Sequence, residues 1–177
     1  MNPPQTLLES RIFRVERIQT VGRSGATLDR DVIRHPGAVA IVPVLDDGQL
    51  CLIRNVRPTV GKTLIEIPAG TLEVGEDPAK CAYRELIEET GYRAATIRPL
   101  IELYTSPGIM DERMYVFVAT DLTPGEMALE DGEEIDVFTA PLEEVLAMIR
   151  RGEVEDGKTV AAVMLYASEV AGEVASG

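Results

Sequence analysis

The chain has 177 residues, 45% hydrophobic and 27% charged, and its 17 Lys plus Arg against 30 Asp plus Glu give a formal charge of −13. This composition suits one soluble globular domain with an ample core and excludes a disordered or fibrous chain. The acidic balance argues against nucleic acid or an anionic membrane as partner, but an anionic ligand can still bind if divalent cations stand between the two.

The N-terminus MNPPQTLLES lacks a basic region followed by an apolar stretch, and no run approaches the roughly 20 apolar residues that span a bilayer. A cytoplasmic protein is expected, in which Cys51 and Cys81 are reduced structural thiols. IFRVERIQTV and LDRDVIRH alternate apolar and polar residues in part and read as strands. AVAIVPVL and QLCLIR flank Asp46-Asp47-Gly48, which suits a tight hairpin turn. LIEIPAG then reads as a short strand ending in Gly70, and TLEVGED as a loop that delivers a helix.

That helix is well punctuated. Asp77 can cap it, Pro78 suits its first position and Gly91 its left-handed stop, so it is predicted over about 78–90. At about 100° per residue, Ala79, Ala82, Tyr83, Leu86, Ile87 and Thr90 form the predicted buried face. Glu85, Glu88 and Glu89 share a neighbouring arc, with Arg84 beside Glu88. TIRPLIELYT and RMYVFVAT read as strands around the loop SPGIMDE, residues 106–112. A helix is expected from Pro141 to a stop at Gly152, and a second from Lys158. No internal repeat or long linker interrupts this order, so residues 1–177 read as a single α+β domain.

Three carboxylates on one helix face repel one another. They become favourable where hard divalent cations supply the missing charge, and Mg²⁺ keeps waters and phosphate oxygens in the rest of its shell. The pattern therefore points to phosphate chemistry. His35 is the only histidine, which argues against a Ser, His and Asp triad and suits a structural role.

Residues 70–92, GTLEVGEDPAKCAYRELIEETGY, set Gly70, Glu76, Arg84-Glu85-Leu86, Glu88-Glu89 and Gly91 at fixed intervals. This stretch resembles the signature of the Nudix hydrolases, departing only at Tyr92, where the family more often has an aliphatic residue. The resemblance implies a Nudix fold: a mixed β-sheet sandwiched between helices, with an N-terminal β-strand appendage. It also implies hydrolysis of a nucleoside diphosphate linked to another group. By position, Glu85, Glu88, Glu89 and the carbonyl of Ala69 would hold Mg²⁺, with Mn²⁺ as a possible substitute. Arg84 would orient a glutamate, and Arg84 and Glu88 would belong to the catalytic set.

Outside the signature, RHPGAVAIVPV, LIEIPAG, YTSPGIMDE and GEVEDGKT resemble the ADP-ribose pyrophosphatase branch, which includes GDP-mannose hydrolases. The resemblance implies cleavage of ADP-ribose to AMP and ribose 5-phosphate, with GDP-mannose or another nucleotide sugar as the alternative and a non-catalytic ADP-ribose sensor as the alternative of another class. Arg54, Arg57, Pro107 and Glu112 are the implied substrate-binding residues. Val56 stands where the branch commonly has an aromatic. The branch takes its general base from a late loop, here EDGEEID over 130–136, with Glu133 first and Asp131 and Glu134 behind it. Members of the branch form dimers, so a homodimer through residues 1–35 is expected.

Overall fold

The computed structural model describes residues 2–129, 132 and 134–176, with side chains as far as 172. The N-terminal alternation becomes three antiparallel strands, Gln5–Glu9 (β1), Arg14–Val21 (β2) and Thr27–Arg34 (β3), in a sheet of their own. This is the expected strand appendage. The sheet leaves Leu7, Leu8, Val21 and Leu28 exposed, while Glu16 is buried between Arg14 at 2.7 Å and Arg34 at 2.8 Å.

Ala38–Pro43 (β4) is apolar throughout and buried at every position, as a strand covered on both faces must be. Gln49–Arg57 (β5) follows it after a tight turn, in which Gly48 has φ 80° and donates to the Leu45 carbonyl at 2.8 Å. The turn forms, but the expected hairpin does not. After a single bridge between Val44 and Leu50, the two strands enter different sheets. Each arm is too apolar to keep a face in water, so they pack face to face rather than edge to edge: Ala38, Ala40 and Val42 share a core with Leu50 and Leu52.

Lys62–Glu66 (β6) and Ala69–Thr71 (β7) divide the stretch read as one strand, and the Pro68 carbonyl between them accepts from Ile41 N–H at 2.9 Å. Pro78–Thr90 (α1) matches its predicted bounds. Asp77 accepts from the N–H groups of Ala79 and Lys80, and Gly91 at φ 74° donates to Ile87. The buried face differs from the one predicted, however. Tyr83 is exposed, while Cys81, Glu85 and Glu89 are buried, because α1 is turned so that its carboxylates meet β7 as well as its apolar residues meeting the core.

Arg93–Tyr104 (β8) and Arg113–Thr123 (β9) complete a sheet ordered β7-β4-β9-β8, with β4 and β9 parallel. Ile135–Pro141 (β10) pairs with β5 from Ile135 opposite Asn55, so the predicted late loop is strand from that point on. Leu142–Arg150 (α2) and Gly157–Ser176 (α3) close the chain as expected. Alternate residues of β4 feed two cores. Val39 and Ile41 pack with Ala82 and Leu86 of α1, and the other set packs with Ala162 and Val163 of α3. The result is the mixed α+β sandwich, with the α1 carboxylates at the β7 edge. Among the described residues no helix is long and apolar enough to cross a membrane.

Candidate active site

The site begins where α1 meets β7. Glu89 accepts the N–H of Ala69 at 2.8 Å. The Glu85 carboxylate lies so close over Gly70 that a Cβ there would come within 1.9 Å of it. Only glycine permits that approach, which explains its place in the sequence pattern. Arg84 collects the other charges. Its Nη1 donates to Glu85 at 2.7 Å and Glu88 at 2.9 Å, and Nε and Nη2 donate to Glu76 at 3.2 and 3.1 Å.

The hydrogen bond from Arg84, helped by the N–H of Glu73, holds the Glu76 carboxyl down at about 2. The same contact with Glu76, ahead of the Glu85 charge, raises the Arg84 guanidinium further above its usual value. Cys81 is pushed up to about 12, chiefly by burial. It is therefore a thiol that accepts from Arg84 Nη2 at 3.2 Å, not a nucleophile.

Among the described residues, no three carboxylate, imidazole or thiol side chains already converge as a metal cage. The donor chemistry nonetheless fits a hard divalent cation. Glu85, Glu88 and Glu89 offer only carboxylate oxygens, and the missing Cβ at Gly70 lets the Glu85 carboxylate lie against the β7 backbone. Arg84 supplies positive charge between Glu85 and Glu88. The tie that the structure shows at Ala69 is through its N–H.

Ala69, Gly70 and Thr71 also form one wall of a cleft of about 640 Å³. Arg57, at the end of β5, and the first residues of α3 also line it, as does Glu112 from the loop before β9. Glu112 accepts from the Thr105 hydroxyl and lies 3.5 Å from His35 Nδ1. Asp111, next in chain, pairs with Arg34 at 2.9 Å and accepts the His35 N–H. His35 thus packs beside Glu112 and Asp111 and is not itself part of the cleft lining.

The two arginines predicted to bind substrate are separated by the period of the strand. Arg57 lines the cleft, whereas Arg54 points elsewhere, 4.0 Å over the Phe138 ring, and lines a smaller hollow of about 390 Å³ with Val56, Glu134 and Asp136. Pro107 is exposed in a turn where the Ser106 carbonyl accepts from Ile109 and Met110, and it is not part of the cleft lining. Glu134 is exposed beside the smaller hollow. Asp131 and Glu133 lie outside the described residues.

Sequence reasoning missed Glu66 and Lys158. Glu66 is 1% exposed and binds the Arg57 fork with both oxygens at 2.7 Å. Lys158 joins it from α3. Burial would push Glu66 up, but the Arg57 hydrogen bonds and the Lys158 charge outweigh it, leaving its pKa lowered. A carboxylate between Ile65 and Ile67 was the available signal, since a charge in an apolar strand needs buried partners.

The NUDIX domain model matches residues 34–163. The chain belongs to the Nudix family. This Nudix chain is 40% identical over 142 residues to the ADP-ribose pyrophosphatase of Bacillus subtilis, covering 79% of this chain and 77% of the relative. It is 37% identical over 148 residues to the GDP-mannose pyrophosphatase of Citrobacter koseri, covering 73% and 76%. Among solved structures, an ADP compounds hydrolase superposes with a TM-score of 0.82 at 25% identity, covering 98% of this chain and 97% of that one.

The lowered Glu76 pKa carries a sign. A depressed carboxyl contributes stability that is present above its ordinary 4.5 and lost as pH falls through its folded value of about 2. Glu76→Gln should lower the thermal midpoint at pH 7 and flatten the curve of midpoint against pH within that acidic window. Melts followed by circular dichroism at a series of pH values check this.

Proposed function

We propose that this Nudix hydrolase cleaves ADP-ribose to AMP and ribose 5-phosphate with Mg²⁺, or Mn²⁺ in its place. The observation that carries the reading is the Glu85 and Glu89 pair seated on Gly70 and Ala69 at the wall of a cleft that Arg57 faces. When bound, divalent cations neutralise the diphosphate and activate water. The chain would supply the rest. Glu85, Glu88 and Glu89 hold the cations, and Arg84 keeps Glu85 and Glu88 in place through charge-assisted bonds. Arg57 orients a phosphate. Glu133, or failing it Asp131 or Glu134, takes a proton from the attacking water. The water oxygen bonds to one phosphorus, the bridging P–O bond breaks, and each product leaves with one phosphate.

A second reading, GDP-mannose or another nucleotide sugar as substrate, is favoured by the Citrobacter koseri relative and by Val56 in the place of an aromatic. We further infer a cytoplasmic homodimer joined through residues 1–35, supported by the exposed Leu7, Leu8, Val21 and Leu28 of the N-terminal sheet. Light scattering at micromolar concentration should give twice the chain mass of 19.3 kDa, and a monomer mass would refute the dimer.

Hydrolysis of ADP-ribose, GDP-mannose, NADH and diadenosine polyphosphates, with Mg²⁺ and with EDTA, tests the activity. Metal-dependent preference for ADP-ribose is expected, preference for GDP-mannose would select the second reading, and no turnover at all would favour a sensor. Glu89→Gln should abolish turnover and weaken metal binding with an unchanged circular dichroism spectrum, and Glu133→Gln should slow turnover by about 100-fold. Full activity in either variant would remove that residue from its role.

A further inference from the structure

Arg57, Asp156 and Lys158 line the cleft as parts of one charged cluster, centred on buried Glu66, and the reaction as proposed gives a role to Arg57 alone. Glu66 is fully buried, yet three hydrogen bonds keep it ionised: Arg57 Nε on one oxygen, with Arg57 Nη2 and Lys158 Nζ on the other. With Nε and Nη2 committed to Glu66, the outer edge of the guanidinium is the part left for a ligand. Among the described residues Arg57 Nη1 donates no hydrogen bond. The orientation of Arg57 towards the cleft therefore depends on where Glu66 is held.

The first turn of α3 holds it. Asp156 caps the helix, accepting from Thr159 N at 3.0 Å and Thr159 Oγ1 at 2.5 Å, and it lies 3.0 Å from Lys158 Nζ. The Thr159 hydroxyl in turn accepts the N–H of Ile67 at 2.9 Å. One helical turn thus grips the Glu66-Ile67 segment twice, through the carboxylate and through the backbone. The chain then runs through Pro68 directly into Ala69 and Gly70, on which the catalytic glutamates rest.

We propose that Lys158 is a positioning residue for the hydrolysis: by pinning Glu66 it fixes the orientation in which the Arg57 guanidinium meets a phosphate in the cleft. This rests on the proposed role of Arg57 as a phosphate contact. A guanidinium recognises phosphate through a rigid fork, so a loosened fork weakens binding even though its charge remains. Lys158 touches neither reacting atom nor cation in this role.

Steady-state kinetics on ADP-ribose with Mg²⁺, combined with a double-mutant cycle, test the proposal. Lys158→Met should raise KM about tenfold and leave kcat within about twofold, the pattern of lost binding rather than lost chemistry. Lys158→Arg, which keeps the charge, should recover most of the loss. In an Arg57→Ala background, Lys158→Met should have no further effect, because the residue it positions is gone. An unchanged KM for Lys158→Met, or a loss that adds fully to that of Arg57→Ala, would overturn the proposal. If Lys158→Met does not fold, Glu66→Gln must show the same split and the same non-additivity, and a wild-type KM there would refute it. Absence of any turnover by the wild type would defeat the function itself, whereas wild-type turnover with an additive cycle would defeat only the role of Lys158.

Discussion

The structure depends on a crowd of carboxylates pressed against the backbone of a short strand. Like charges about 4 Å apart repel by about 4 kcal/mol at an effective dielectric of about 20, so Glu76, Glu85, Glu88 and Glu89 can gather only where something else compensates. Arg84 does so for three of them, spending every nitrogen of its guanidinium on the task. The fourth, Glu89, accepts the Ala69 N–H. The arrangement leaves an excess of oxygen donors of one chemical kind against Ala69 and Gly70, which line a cleft. That excess suits hard cations and, through them, an anionic substrate for an acidic protein.

Everything around this contact fixes its geometry. Gly70 removes the Cβ that Glu85 would otherwise strike. Asp77 and Gly91 set the two ends of α1, and with them which residues face β7. β7 is held by antiparallel pairing to β4, which is buried on both faces and cannot shift without opening two cores at once. Arg57 and Glu112, which also line the cleft, are tied in differently, through Glu66 between Arg57 and Lys158 and, next to Glu112, through Asp111 between β3 and the loop before β9. Apolar burial places β7, and charge pairs place Arg57 and the loop before β9.

The helix and the Nudix signature were legible in the sequence because each rests on local physics. Capping needs Asp77 and Gly91 at the right interval, and the carboxylate face needs only the helical repeat. The same holds for the strands read from alternation and for the two C-terminal helices. The predicted hairpin at Asp46-Asp47-Gly48 failed for a non-local reason. The turn chemistry was read correctly, but whether two apolar arms pair edge to edge or stack face to face depends on which other strands arrive to cover them, here β7 and β9 on one side and β6 and β10 on the other.

The sequence by itself thus determined the chemistry on offer: three carboxylates with an arginine on one helix, a donor set that suits a hard cation, glycines where backbone must pass closely, and a family whose members act on nucleoside diphosphates. Only the tertiary structure decided which residues share the cleft. Arg54 and Arg57 are equivalent in the sequence, but β5 carries one to the Phe138 side and the other to Glu66 and the cleft. Lys158 lies 92 positions from Glu66, a separation that no local pattern spans. Helical periodicity and capping act over a few residues, whereas the pairing of buried charges is set by how distant strands and helices pack, and that information resides in the fold.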